Sequence, residues 1–267
     1  MWVHLVQNNA VWKDPIHSLK AIDLLLKENP IVKEKGGWLL LPEMFAQGFV
    51  TDWNLSDDIS LIKEQQIFIL QWMQETAKKY NLTVAGSMAY YQNERLYNRL
   101  IAVQAHKELA LHTPYNKKHL FGLAGENRSY HSGSSRVLWH DEPWSILPSI
   151  CYDLRFPVWL RYRKDYQLLF CVANWPQARA HAWRSLLMAR AIENQAYVVG
   201  VNRVGTDATG TVYSGESMVL GPDGRILLQM NHESGIGSCF LDIHVLNVFR
   251  RAYPFLNDAD SFQLMES

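Results

Sequence analysis

The sequence lacks the features that mark membrane proteins and nucleic-acid-binding proteins. Its apolar runs all fall short of the roughly eighteen residues that cross a membrane, and no basic block exceeds three residues. Lys and Arg together number 26, as do Asp and Glu, so the formal net charge is zero. The sequence therefore has no cluster of basic residues that could bind the phosphates of a nucleic acid. We therefore expect no membrane or nucleic-acid partner and predict a small-molecule substrate.

Cysteine is also scarce. The chain has three, Cys151, Cys171 and Cys239, and no two of them form a Cys-x-x-Cys pair. An odd number of cysteines without close pairing is a poor disulfide framework. Because no Cys-x-x-Cys pair offers zinc ligands, we expect no bound metal. Residues 2–6 already have the pattern of a strand, and we expect no signal peptide before the fold. A reducing cytoplasm is the predicted location, where a catalytic thiol would stay free.

Apolar patterns predict alternating strands and helices along most of the chain. Predicted helices begin at Pro15, behind the N-cap Asp14, and cover residues 59–80 and 181–194. Predicted strands cover residues 2–7, 38–41, 82–90, 96–104, 109–112, 137–139, 144–150, 168–172, 196–202, 216–220, 225–229 and 237–241. Residues 114–135 have three glycines and no sustained period, which indicates a long functional loop.

The number and order of these elements indicate the fold class. More than ten candidate strands are too many for one open sheet. Hairpins mixed with strand–helix units favour mixed sheets over purely parallel ones. We predict one α/β domain over residues 1–267, with two sheets and helices on the outside.

Cys151 is the first candidate for chemistry. It ends an apolar run and precedes a polar turn and Pro157, which suits the first turn of a helix. Backbone N–H groups and the helix dipole would then favour a thiolate, the nucleophilic form. The alternative is a buried structural cysteine, which is how Cys171 and Cys239 look. Pro148 removes a donor from the strand before Cys151, so we expect a bulge there or one unpaired side.

Charged residues elsewhere could assist this thiol. Glu43 ends a buried strand, where it could shuttle protons or simply bond loop amides. Lys117 could stabilise a thiolate and an oxyanion, and Glu126 could hold its ammonium; an exposed lysine is the alternative. His119 is another candidate base or a packing residue. No Gly-x-Ser-x-Gly or Gly-x-Gly-x-x-Gly motif offers a rival nucleophile or a dinucleotide site.

Three ordered motifs together resemble the nitrilase superfamily of carbon–nitrogen hydrolases. They are Leu-Pro-Glu-Met-Phe at 41–45, Asn-Lys-Lys-His-Leu-Phe at 116–121 and Cys-Tyr-Asp-Leu-Arg-Phe-Pro at 151–157. Residues 190–198 match as a fourth block, and Val-Ala-Asn-Trp-Pro at 172–176 is similar to bacterial omega-amidases, which hydrolyse 2-oxoglutaramate. The resemblance implies an αββα sandwich of two mixed sheets flanked by helices, which usually forms a homodimer through its outer helices.

The resemblance also implies roles for individual residues. Cys151 would be the nucleophile and Glu43 the general base. Lys117 and the backbone N–H of Tyr152 would bind the oxyanion, and Glu126 would position the lysine and the amide. A thioester would form on the cysteine, and neither a metal nor an organic cofactor is required.

The implied substrate is the monoamide of a short dicarboxylic acid. Its far carboxylate needs a cation, for which Arg179 is the candidate by position. Phe45, Trp175 and Tyr152 are candidate apolar walls. The alternatives are related carbon–nitrogen substrates, namely deaminated glutathione, an N-carbamoyl compound or a nitrile. A binding protein that keeps the fold without catalysis is a further alternative.

Overall fold

The computed structural model describes residues 1–105 and 113–264, so the strand predicted at residues 109–112 lies outside the described residues. The strands are β1 (Trp2–Gln7), β2 (Gly37–Leu40), β3 (Leu82–Gln92), β4 (Arg95–Gln104), β5 (Tyr115–Asn116), β6 (Trp139–Asp141), β7 (Trp144–Ile150), β8 (Leu168–Ala173), β9 (Tyr197–Asn202), β10 (Val204–Thr206), β11 (Val212–Ser214), β12 (Met218–Leu220), β13 (Ile226–Gln229) and β14 (Gly235–Phe240). The helices are α1 (Pro15–Glu28), α2 (Pro30–Lys35), α3 (Leu55–Tyr80), α4 (Glu126–Ser129), α5 (Pro157–Leu160), α6 (Ala180–Asn194) and α7 (Ile243–Ala252).

Within the described part of the chain, most of the strands form two six-stranded sheets. Their orders are β14-β1-β2-β3-β4-β5 and β13-β12-β9-β8-β7-β6, and β10 and β11 form a separate hairpin. Each sheet has parallel strands at its centre, β1-β2-β3 in one and β7-β8-β9 in the other. Antiparallel strands flank both centres. The prediction of two mixed sheets is confirmed.

The two sheets pack face to face, and helices cover their outer faces. Between the sheets, the Trp38 ring centroid lies 5.7 Å from Trp139 and 5.4 Å from Phe170. Side chains of α1 and α3 pack on the outside of the first sheet. Helix α6 lies close against the second sheet at Gly200, where an added Cβ would come within 2.5 Å of Leu187 Cδ1. The resulting layers are the αββα sandwich that the motifs implied.

Capping residues define the ends of the long helices. Asp14 accepts a hydrogen bond from the His17 N–H at 3.1 Å, and Pro15 is the first residue of α1, as predicted. Helix α3 begins four residues before the predicted residue 59, because the Asn54 side chain accepts from the Ser56 N–H at 3.2 Å. Among the described residues, none of the helices is both long enough and apolar enough to span a membrane.

Several predicted boundaries are wrong. The strand predicted at 137–139 lies at Trp139–Asp141, where it pairs with the start of β7. The segment 114–135, predicted as one loop, contains β5, a 3-10 turn and α4. Elements α2, α7, β10 and β11 were not predicted. These elements are short or lie on the surface, so tertiary contacts rather than apolar periodicity define them.

The bulge expected at Pro148 is absent from β7. Pro148 lies opposite Phe170 in an unbroken parallel register that runs from Ile146 to Ile150. On the other side, β6 pairs with β7 only from Trp144 to Ile146. At Pro148 the strand therefore has a paired neighbour on one side, the second arrangement that we expected.

Candidate active site

The candidate site lies where strands of both sheets end. Cys151 directly follows β7 and Asn174 directly follows β8, so the parallel strands bring these two residues to one edge. Glu43 follows β2 in the other sheet, and Lys117 follows β5. The carboxyl ends of parallel strands are the usual place for ligand sites in α/β proteins. The fold therefore gathers residues that lie far apart in the sequence.

Lys117 is buried between two glutamates. Its Nζ lies 2.8 Å from Glu43 Oε1, 2.8 Å from Glu126 Oε2 and 3.0 Å from Glu126 Oε1. The three side chains are at most 1% exposed. Charges removed from water in this way need close partners of opposite sign. The structure thus brings together the three charged residues that the motifs indicated.

Two asparagines complete the hydrogen bonding of the glutamates. Asn98 Nδ2 donates to Glu43 Oε1 at 2.7 Å and to Glu126 Oε1 at 3.0 Å. The Asn174 N–H donates to Glu43 Oε2 at 2.8 Å, and the Phe121 N–H donates to Glu126 Oε2 at 2.6 Å. Sequence reasoning missed Asn98 and gave Asn174 no role. The available signal for Asn98 was a polar amide in the middle of an apolar strand.

Burial and charge oppose each other in this cluster. Burial lowers the pKa of Lys117, but the carboxylates of Glu126 and Glu43 outweigh it, so the pKa lies well above its ordinary value. Burial raises the pKa of Glu126, and the nearby ammonium and the Asn98 amide only partly offset this. Lys117 is therefore a permanent cation at the base of the site.

The backbone at Cys151 is strained. Its φ is +44°, in the left-handed region, which costs a residue with a Cβ about 1–2 kcal/mol. Cys151 begins a 3-10 turn, Cys151–Arg155, and its Sγ lies 3.9 Å from the carbonyl oxygen of Asn174. Such strain is commonly found at functional sites, where the surrounding structure holds the residue in place.

The surroundings of Cys151 oppose the resting thiolate that the local sequence predicted. Burial raises the pKa of the Cys151 thiol well above its ordinary value, the charge of Glu43 raises it further, and Lys117 opposes both. The expected helix is only the five-residue 3-10 turn followed by the four-residue α5, so its dipole is small. These surroundings favour a neutral thiol, which needs a base to become a nucleophile.

His119 is not placed as that base. Its Nδ1 lies 2.8 Å from Asp153 Oδ1, and its ring stacks on Phe156 with 3.7 Å between centroids. The buried Asp153 also accepts from the N–H of His119 at 2.9 Å, the N–H of Ile150 at 3.0 Å and the hydroxyl of Tyr115 at 2.8 Å. Asp153 therefore joins the segment around Lys117 to the turn that carries Cys151.

A cavity of about 520 Å³ opens above the cluster. Cys151 and Lys117 contribute to its lining, together with three of the residues predicted from the motifs, Tyr152, Trp175 and Arg179. The predicted residues thus lie where a substrate would contact the thiol.

Phe45, by contrast, does not line this cavity, and its prediction as a wall is wrong. The residue is fully buried on the outer face of the first sheet, where its ring centroid lies 5.9 Å from that of Trp72 on α3. Met44, with a φ of +49°, turns the chain sharply after Glu43. Phe45 consequently packs on the opposite side of the sheet from the cavity.

Two guanidinium groups border the cavity and have open edges. Arg155 Cζ lies 4.9 Å from the ring centroid of Trp175, and Arg179 Cζ lies 5.3 Å from that of Phe121. Neither guanidinium has a hydrogen bond or an ion pair with a residue that the structure describes. Stacking leaves the N–H donors at the edge of a guanidinium available to a carboxylate.

The cavity also has an acidic residue, Asp207, between β10 and β11. Its carboxylate accepts from the backbone N–H groups of Thr209 and Thr211 and from the hydroxyl of Tyr213. Although burial raises the pKa of Asp207, these hydrogen bonds lower it overall. Asp207 is therefore satisfied within its own hairpin rather than by Arg155 or Arg179.

The protonation state of Cys151 can be tested directly. We expect the thiolate ultraviolet absorbance that is lost in Cys151→Ala to develop only above about pH 8.5, the ordinary thiol value, because the folded-state pKa is raised. Cys171→Ala is the control, since burial raises the pKa of that thiol to about 12. A Cys151 thiolate signal already complete at about pH 7 would contradict this assignment.

The chain is similar to known proteins over almost its whole length. The family model described as carbon-nitrogen hydrolase matches residues 3–250. The omega-amidase YafV of Escherichia coli (strain K12) is 38% identical over 263 residues, which cover 98% of each chain. The 2-oxoglutaramate amidase of Bacillus subtilis (strain 168) is 34% identical over 96% of each chain.

A solved structure shares the fold over almost its whole length. It is XC1258 from Xanthomonas campestris, a CN-hydrolase superfamily protein with an arsenic adduct in its active site. The TM-score is 0.89 at 30% sequence identity, and the match covers 99% of each chain. The family match and the whole-length relatives confirm the resemblance seen in the motifs. The chain belongs to the carbon-nitrogen hydrolase family.

Proposed function

We propose that the protein is an omega-amidase, which hydrolyses the terminal amide of a short dicarboxylic acid monoamide such as 2-oxoglutaramate. The observation that carries the proposal is one cavity that holds the Cys151 thiol, the Lys117 ammonium and the Arg179 guanidinium. This guanidinium has no hydrogen bond or ion pair with any described residue. The names of the two relatives reported above support the same substrate class.

The first half of the proposed reaction forms a thioester. Because Cys151 is a thiol at rest, Glu43 takes its proton as the sulfur attacks the amide carbon. Lys117 and the backbone N–H of Tyr152 stabilise the negative charge on the carbonyl oxygen. Tyr152 lies in the first turn of the 3-10 helix, where N–H groups have no partner within the helix. Glu43 then gives the proton to the departing ammonia.

The second half releases the acid. Glu43 takes a proton from the incoming water, whose oxygen attacks the thioester carbon. The carbon–sulfur bond breaks, Glu43 returns its proton to the departing sulfur, and the carboxylic acid leaves the restored thiol of Cys151. Glu126 holds Lys117 and positions the amide throughout. Two moderate barriers replace one high barrier, as covalent catalysis requires.

The far carboxylate of the substrate would bind at the arginines. Arg179 is the proposed cation, and Arg155 offers a second guanidinium beside the same cavity. Trp175 and Tyr152 would form the walls along the carbon chain between the two ends. A charged group in the substrate is thus recognised away from the bond that breaks.

A larger amide is the second candidate substrate. The cavity volume of about 520 Å³ lies within the range of about 300–1,000 Å³ that holds drug-sized ligands. Deaminated glutathione or an N-carbamoyl compound would therefore fit by volume, and a nitrile shares the same family chemistry. Comparing the catalytic efficiencies for these substrates with that for 2-oxoglutaramate decides between them.

We further propose that residues 1–267 form a single domain, which acts as a homodimer in the cytoplasm. Apolar side chains exposed on the outer side of α6, such as Ile192 at 52%, support an interface there. A mass of 30.9 kDa in light scattering, that of one chain, would contradict the dimer.

The nucleophile is tested by measuring ammonia release from 2-oxoglutaramate and succinamate. We expect Cys151→Ala to lose about 10⁴-fold or more in rate, as when the nucleophile of other hydrolases is removed. Cys239→Ala is the matched control, because Cys239 lies in β14 and should keep the wild-type rate. Equal rates of ammonia release by wild type and Cys151→Ala would contradict the proposal. If the wild type releases ammonia from none of the amides, the remaining hypothesis is a binding protein that keeps the fold without catalysis.

The role of Arg179 is tested with paired substrates. We expect Arg179→Gln to raise KM for succinamate about 10- to 100-fold, the loss that follows removal of a charged hydrogen bond. KM for a neutral amide of equal length should not change. Arg163→Gln is the matched control, since Arg163 stacks on Phe262 outside the cavity lining. If both substrates lose equally in Arg179→Gln, the residue does not bind the carboxylate.

A further inference from the structure

Asn98 contacts every charged residue of the buried cluster. Its backbone carbonyl oxygen accepts from the Lys117 N–H at 2.9 Å. Its side-chain Nδ2 donates to Glu43 at 2.7 Å and to Glu126 at 3.0 Å. The residue is fully buried in β4 and does not line the cavity. It therefore touches the machinery without touching a bound substrate.

The orientation of this amide follows from its neighbours. Turned by half a rotation, the amide would point Oδ1 at two carboxylates, which would repel it. With Nδ2 facing the glutamates, each of its two N–H groups has a carboxylate acceptor. The observed arrangement therefore makes Asn98 a second bridge between the glutamates, beside the ammonium of Lys117.

A count of donors shows why a second bridge is needed. An ammonium has three N–H groups, and Lys117 already makes three contacts within 3.0 Å to carboxylate oxygens. In the proposed reaction one of these N–H groups must turn to the oxyanion. A carboxylate then loses a donor at the moment when charge develops. The Asn98 amide stays in place and keeps both glutamates bonded.

We propose that Asn98 is a positioning residue that holds Glu43 and Glu126 as ionised partners while Lys117 engages the oxyanion. This inference rests on the proposed roles of Glu43, Lys117 and Cys151. Because the amide acts through the glutamates, its contribution is larger in the transition state than in the substrate complex. Its loss should therefore lower kcat and leave KM nearly unchanged.

The same contacts imply a change in the pH profile. Hydrogen bonds to a carboxylate favour its ionised form, and the Asn98 amide lowers the pKa of Glu126, which burial raises. Without the amide, the pKa of Glu126 rises further. An ionised Glu126 is needed to hold Lys117 and to position the amide, so the acid limb of kcat/KM moves to higher pH. A change that only disturbed packing would not move this limb.

The experiment compares two variants at position 98 with a matched control. Asn98→Leu keeps the size and removes both donors; we expect kcat to fall about 10- to 100-fold, with KM within about threefold of wild type. The acid limb should move to higher pH. Asn194→Leu is the control, because Asn194 is fully buried at the end of α6 and bonds Tyr162 and Arg190 instead. Its acid limb should match wild type.

Asn98→Asp has nearly the same shape and tests the inference if the leucine variant does not fold. A protonated Asp at this position keeps one donor, whereas an ionised one adds a third carboxylate around one ammonium. Its activity relative to wild type should therefore fall as the pH rises. Wild-type kcat together with an unshifted acid limb in Asn98→Leu would overturn the inference. A ratio of Asn98→Asp activity to wild-type activity that does not change with pH would also overturn it.

A second readout separates this inference from the proposed function. The rate of Cys151 alkylation by iodoacetamide, followed by mass spectrometry across pH, needs no substrate. If wild type releases no ammonia, the proposed function fails, and Asn98 is judged by alkylation alone. The pH dependence should then differ between wild type and Asn98→Leu and agree between wild type and Asn194→Leu. Identical profiles in all three proteins contradict the role of Asn98.

Discussion

The burial of one ammonium between two carboxylates constrains much of this structure. Lys117, Glu43 and Glu126 are almost fully removed from water, and an isolated charge in that position costs several kcal/mol even after relaxation. Each of the three is tolerable only when the other two are in place. Three separate segments, after β2, after β5 and at α4, must therefore close on one point. Asn98 and Asn174 supply the donors that the ammonium cannot.

The scaffold meets this constraint with rigid strand ends and a few buried polar residues. Parallel strands bring Cys151 and Asn174 to one edge, and Asp153 fastens the segment around Lys117 to the cysteine turn. The left-handed backbone conformations of Cys151 and Met44 are further evidence that the site is held rigidly. Strain of this kind persists only where surrounding contacts hold the chain firmly. The site is therefore preorganised in the protein without substrate.

The charge of the cluster also explains the state of the nucleophile. With both glutamates ionised, two negative charges and one positive charge leave a net negative charge beside the thiol. Burial and Glu43 then raise the pKa of Cys151 more than Lys117 lowers it. A neutral thiol must lose its proton as it attacks. The same carboxylate that disfavours the thiolate is the one positioned to accept the proton.

The amino-acid sequence was sufficient to predict the fold class, the family and the residues to which we assign the proposed chemistry. Apolar periodicity depends on near neighbours, so it predicted the long helices and the central strands. Ordered motifs predicted Glu43, Lys117, Glu126 and Cys151. The three-dimensional structure was needed to show that the surroundings of Cys151 disfavour a thiolate, that Phe45 packs in the core and that Asn98 joins the cluster. Each of these depends on burial and on partners dozens of residues away, and no local pattern encodes either.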